Sequence, residues 1–187
     1  SILPVFFADW PLLLLPVHIV FLELIIDPAC SLIFEAENAE KDIMLRVPRR
    51  PDERLFNFQV VMVSVLQGGG VLAALLIMYW FSGVFGHGGE DSRRAFVFTT
   101  LVAGNLALIL ANRSWVRNFA AMFRQPNAAL WWVVCGAGVM LGLVLSVPAL
   151  RDVFHMGALQ PQEVGLCVLA GFLSVGWFEV WKQLRRS

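Results

Sequence analysis

The sequence predicts an all-α integral membrane protein, a bundle of about five transmembrane helices in a single membrane domain over residues 1–187. Three observations predict it. The 187 residues are 58% hydrophobic and 15% charged, with a mean hydropathy of +0.71, far too apolar for a soluble domain of this size. The apolar residues form continuous blocks without the period-two alternation of a membrane β-barrel. The basic residues gather in alternate connections between those blocks.

The first block runs from about 12 to 34, after a short apolar approach that holds Asp9 and closes at Pro11. At 1.5 Å per residue it is long enough to cross a bilayer. Glu23 and Asp27 lie in its middle, where a charge costs several kcal/mol. They are four apart, so a helix places them on one face, a turn from each other. Pro28 has no N–H for the carbonyl of Leu24 and disfavours the α conformation at Asp27, which predicts a break there. Two carboxylates beside freed carbonyls make an oxygen-rich site suited to hard cations. The competing reading is a kinked helix whose acids are hydrogen-bonded to neighbours. His18, just outward of Glu23, either tunes access to the acids or is a histidine satisfied within the bundle.

The second block covers about 58–81 and the third 95–110. The third is short, and its Thr99, Thr100 and Asn105 suggest a helix buried among others. The carbonyl oxygen of Asn105 could complete a site with Glu23 and Asp27, or the amide could be an interhelical hydrogen-bonding group. Gln67 in block two reads as the latter. The fourth block covers 129–147 and the fifth 164–181. Gly68-Gly69-Gly70, Gly136, Gly138, Gly142, Gly165, Gly171 and Gly176 read as places where helices approach closely. Near the end of block five, Glu179 is three residues before Lys182, a spacing that explains it as a pair.

Eleven of the 14 basic residues fall on one side: Lys41, Arg46, Arg49, Arg50 and Arg54 after block one, Arg113, Arg117 and Arg124 after block three, and Lys182, Arg185 and Arg186 after block five. Arg93, Arg94 and Arg151 make up the other side. The positive-inside rule therefore predicts a multi-pass protein of a cell membrane with its C-terminus cytoplasmic. Asn112-Arg113-Ser114 is a glycosylation sequon in form, on the side where it cannot be used.

Zero formal net charge argues against nucleic acid as a partner, and leaves the lipid bilayer. Cys30, Cys135 and Cys167 lie in apolar blocks at no metal-ligand spacing. No Gly-rich phosphate loop, HExxH, CxxC or nucleophile triad is present, so this stretch carries no catalysis of its own. Ser1-Ile2-Leu3-Pro4 lacks a basic n-region and reads as a cut, not as a signal peptide.

The stretch Pro16-Val17-His18 with Glu23-Leu24-Ile25-Ile26-Asp27 resembles the sixth transmembrane helix of type II P-type cation-transporting ATPases. Asp42-Ile43-Met44, Arg46 and Pro48-Arg49 resemble the cytoplasmic loop that follows it, and blocks two to five then correspond to the seventh through tenth helices. The resemblance implies that the chain is the C-terminal membrane part of an ATP-driven pump. It implies as partner an N-terminal part with five helices and the cytoplasmic domains, through which ATP and Mg2+ act. The family's cation site draws on the fourth, fifth, sixth and eighth helices. In calcium pumps the matching sixth-helix positions are Asn, Thr and Asp; here they are Glu23, Ile26 and Asp27. Asn105 stands where the eighth helix of reticulum calcium pumps has Glu. Acids at both sixth-helix positions look more like pumps of monovalent cations or protons, so the transported ion stays open among Ca2+, a monovalent cation and H+. The alternative from another class is a free-standing five-helix structural or regulatory membrane protein with no ion site.

Overall fold

The structure is a computed structural model that describes residues 12–36, 58–84, 89–112 and 128–184, with all their side chains except those at 26–30, 34, 59 and 179–184. Six helices and no strand occur among these residues: α1 (Pro16–Glu35), α2 (Phe58–Val84), α3 (Glu90–Asn112), α4 (Ala128–Ser146), α5 (Pro148–Phe154) and α6 (Pro161–Leu184). Four of them (α2, α3, α4 and α6) are long and apolar enough to cross a membrane over their described residues, and α1 is apolar over Pro16–Ile25. The predicted all-α membrane bundle is what the chain forms. The basic connections at 37–57 and 113–127 lie outside the described residues, as does the Glu179–Lys182 pair.

Three helices begin with proline, where the missing N–H is one that no helix would use. In α1 the carbonyl of Leu15 accepts the first helical bond, and the Leu15 N–H donates to His18 Nδ1 at 2.9 Å. In α6 the N–H of Gln160 donates to Glu163 Oε2 at 2.6 Å. Both are the reach-back half of a capping box, with the third helical residue serving the residue before the helix.

The break expected at Asp27-Pro28 does not occur: α1 is one helix from Pro16 to Glu35. Proline removes a single ladder bond, to Leu24, and a helix packed among others tolerates that loss. Nor does α3 begin at Ala95. Glu90 and Asp91 open it five residues earlier, their charge favourable at the positive end of the helix. Arg94 holds both acids, at 2.9 Å from Glu90 Oε2 and 2.8 Å from Asp91 Oδ1, and donates to the carbonyl of Leu12 at 3.1 Å. Arg93 lies 5.3 Å from the centre of the Tyr79 ring and donates to its hydroxyl at 3.2 Å. These two arginines of the less basic side are structural.

The short α5 was not foreseen. It ends at His155, left-handed with φ 48°, whose N–H bonds back to the Asp152 carbonyl, while Met156 N–H reaches Arg151. Gly157 then lies on the first turn of α3: its N–H donates to Asp91 O at 2.9 Å, and a Cβ there would stand 2.8 Å from Ser92 Cα. That approach requires glycine.

The bundle is organised around α3, with 72% of its apolar window buried against 17–22% for the other three long helices. On one side α3 packs against α2 and α6 through small residues. A Cβ on Gly171 would lie 2.7 Å from both Ala103 Cβ and Gly104 N, and one on Gly70 would lie 2.6 Å from Ser174 O. Val63, Val71, Ala107, Ala111, Val175 and Phe178 close this seam. On the other side Phe21 of α1, Ala95, Phe98 and Val102 of α3, Leu141 and Val144 of α4 and Phe154 of α5 make one apolar cluster. The remaining glycines read as packing positions (Gly68, Gly69, Gly136, Gly138, Gly142, Gly165, Gly176) would meet nothing within 4 Å among the described residues. Glycine spacing marks a face without saying whether a neighbour lies against it.

Candidate cation site

The geometry of α1 decides how the predicted site residues are presented. Its inner face carries His18 and Ile33, both fully buried, with Phe21 buried and Leu22 and Ile25 half-buried. Its outer face carries Val20 and Leu24, 64% and 60% exposed, and Glu23 is exposed with them. No described residue pairs with the Glu23 carboxylate. Position 27 is one turn further along; its side chain lies outside the described residues. A carboxylate on an otherwise apolar outer face would cost several kcal/mol against lipid. Protein or water must meet it there.

Asn105 of α3 is half-buried and packs toward α1, not toward the outer face. With Leu22, Ile25, Val102, Leu106 and Ile109 it borders an apolar cavity of about 10 Å³. Leu22 and Ile25 bracket Glu23 along the helix. Asn105 and Glu23 are therefore at one level of the bundle but on different sides of α1. Among the described residues no three of His, Cys, Asp and Glu come together to hold a metal ion.

His18 is the satisfied histidine of the two readings. It is fully buried; Nδ1 accepts from Leu15 N–H at 2.9 Å, so Nε2 carries the proton and donates to the Phe154 carbonyl at 2.8 Å. The ring lies among Phe98 and Phe154, with centroids 4.9 and 5.8 Å away. Gln67 is the interhelical group it was read as: its side-chain amide pairs reciprocally with that of Asn112, at 3.2 and 3.4 Å, and Asn112 also donates to Leu108 O at 3.0 Å. Sequence reasoning met Asn112 only as part of a sequon and missed this pairing. An amide in block two and another just past the end of block three, in blocks that a short connection makes neighbours, were the available signal.

Comparison with known proteins agrees with this architecture. The family described as "Cation transporting ATPase, C-terminus" matches residues 11–184. A curated relative named calcium-transporting ATPase, from Bacillus subtilis (strain 168), is 27% identical over 179 residues. The match covers 89% of this chain and 19% of the relative, so the chain spans about a fifth of that protein's length. With four described spans and a fifth apolar helix beside them, this multi-pass membrane protein belongs to the family of cation-transporting ATPase C-terminal regions.

Proposed function

We propose that the chain serves as the C-terminal membrane part of an ATP-driven cation pump and contributes Glu23, Asp27 and Asn105 to its intramembrane cation site and pathway. The observation that carries this reading is the exposed Glu23 carboxylate on the apolar outer face of α1. Such a group is tolerated within a bilayer when other helices and a cation or proton cover it. The remaining pump, with five N-terminal helices and the cytoplasmic domains that bind ATP and Mg2+, would supply that cover. Asn105 stands at the same level on the other side of α1, about a helix width from the Glu23 face, and would act along the pathway there and not on a ligand shared with Glu23. The B. subtilis relative is named for calcium, which favours Ca2+ as the first ion to assay; a monovalent cation or H+ remains the other choice for acids at both positions.

Two experiments test the reading. The purified 187-residue chain should hydrolyse no ATP above a detergent blank, whereas the reading frame upstream of it should encode the phosphorylation motif Asp-Lys-Thr-Gly. ATP hydrolysis by the chain alone, or a frame without that motif, would sink the assignment.

Orientation is checked separately. The basic connections should be cytoplasmic, together with the C-terminus. Glu90→Cys, whose native side chain is 63% exposed, should react with an impermeant maleimide from outside, and Asn127→Cys only from inside, in a background lacking Cys30, Cys135 and Cys167. Ser92 is unsuited to this labelling because it is buried against Gly157. The reverse pattern defeats the orientation.

A further inference from the structure

The packing of α1 against the bundle is almost wholly apolar, and apolar contact is non-directional. It restricts the rotation of a helix only through side-chain interdigitation, to which a hydrogen bond adds a fixed direction. Among the described residues of α1, one side chain forms a hydrogen bond to another helix: His18, whose Nε2–H reaches the carbonyl of Phe154 at the end of α5. That bond has a fixed direction, in a site from which water is excluded. Its geometry is locked at both nitrogens, because the Leu15 N–H occupies Nδ1 and leaves Nε2 as the donor. Phe21, Phe98 and Phe154 enclose the ring, with Phe21 edge-on to both other phenyl groups at 5.3 and 5.6 Å. The imidazole cannot turn to another acceptor without displacing them.

We infer that His18 is a positioning residue that sets the rotation of α1, and through it the place at which the acidic positions of that helix meet a cation. At 100° per residue, positions 23 and 27 lie about 140° and 180° around the axis from position 18. They are on the far side of α1 from the pinned imidazole. A turn of the helix about its axis therefore moves both acidic positions, and it must break the His18 tie and disturb the apolar cluster on the near side. This inference rests on the cation-site reading above and adds to it the group that aims the site. His18 touches no cation itself.

The two halves of the imidazole can be removed one at a time. His18→Gln carries an amide N–H near the place of Nε2 and keeps the tie to Phe154. His18→Asn carries an oxygen near the place of Nδ1, keeping the Leu15 cap and losing the tie. His18→Ala loses both. The measurement is Ca2+ uptake against Ca2+ concentration, and the Ca2+ dependence of ATP hydrolysis, for the reconstituted full-length pump, with Asp27→Asn beside it. A lost buried hydrogen bond that misaims ligands should raise the half-saturating Ca2+ about tenfold in the Ala and Asn variants, leaving the maximal rate within about twofold. Gln should return the wild-type value within about twofold. Should Ala not fold, the Gln and Asn pair makes the same comparison. Equal Ca2+ dependence in Gln and Asn, or a change confined to maximal rate or protein yield, overturns the inference. Wild-type Ca2+ dependence in Asn with a dead Asp27→Asn overturns the role of His18 and leaves the site standing. Normal uptake by Asp27→Asn overturns the site, and the inference with it.

Discussion

In the full-length pump, Asp27→Asn is expected to abolish cation-dependent transport, and Glu23→Gln to weaken it or change its ion preference. The argument starts from cost. A bilayer interior keeps two carboxylates a turn apart only where a metal ion, a proton or a basic partner meets them. Within the described part of the bundle the basic side chains are Arg93, Arg94 and Arg151, at the ends of α3 and α5, and Arg93 and Arg94 are engaged there. None is offered to the outer face of α1. Removing one partner of a buried charge pair costs about 3–5 kcal/mol, a factor of 100 or more in an equilibrium constant. Asp27 carries the larger share because Pro28 still deprives the Leu24 carbonyl of its helical donor, although α1 continues through it. That oxygen is the backbone ligand nearest to hand. Uptake by vesicles holding wild type or either variant, across a pH series, checks this. Normal transport with an unchanged pH profile in Asp27→Asn would make the acids packing residues.

The sequence shows the membrane class, five of the six helices and the candidate acids, because each rests on a bulk property of consecutive residues. Hydropathy sums over twenty positions and survives local error; Glu23 and Asp27 stand out against it for the same reason. Helix ends were less legible. Charge and proline at Glu90, Asp91 and Pro161 lower the hydropathy where the helix in fact begins, although the same residues are good first-turn residues. The short α5 is seven residues long, below what a membrane window detects, and its one cue was Pro148. The continuity of α1 through Pro28 was not legible either, because proline removes one ladder bond without always ending a helix. For the site, periodicity puts Glu23 on a face without saying that this face is the exposed one. Nor does it say that Asn105 meets α1 through Leu22 and Ile25, since the phase of one helix against another is set by side chains such as His18 and Phe154.

Gly171→Ala should be the most damaging single-methyl change in the fold. At this position α6 meets α3 closely enough that an added Cβ would lie 2.7 Å from the backbone nitrogen of Gly104 and from Ala103 Cβ, and 3.0 Å from the Ala103 carbonyl carbon. Two of those three atoms are backbone, which no rotamer change can move. α2 crowds the same place, with Gly104 against Val71 and, a turn further along α6, Gly70 against Ser174 O, so α6 cannot slide aside without opening the seam lined by Val175 and Phe178. Overpacking of a tight core costs about 1–3 kcal/mol, and the backbone contact puts this change at the upper end. Gly138→Ala is the control, since its added methyl would meet nothing within 4 Å among the described residues. Melting of the detergent-solubilised chain, followed by fluorescence, should show a clear drop for Gly171→Ala and no loss for Gly138→Ala. Trp177, edge-on to Phe178 at 5.9 Å, is placed to report it. The two changes act on the same chemistry, glycine to alanine in a membrane helix, and differ in whether a helix lies across from it. If both melt alike, α3 and α6 do not pack at this distance, and the central position of α3 in the bundle is wrong.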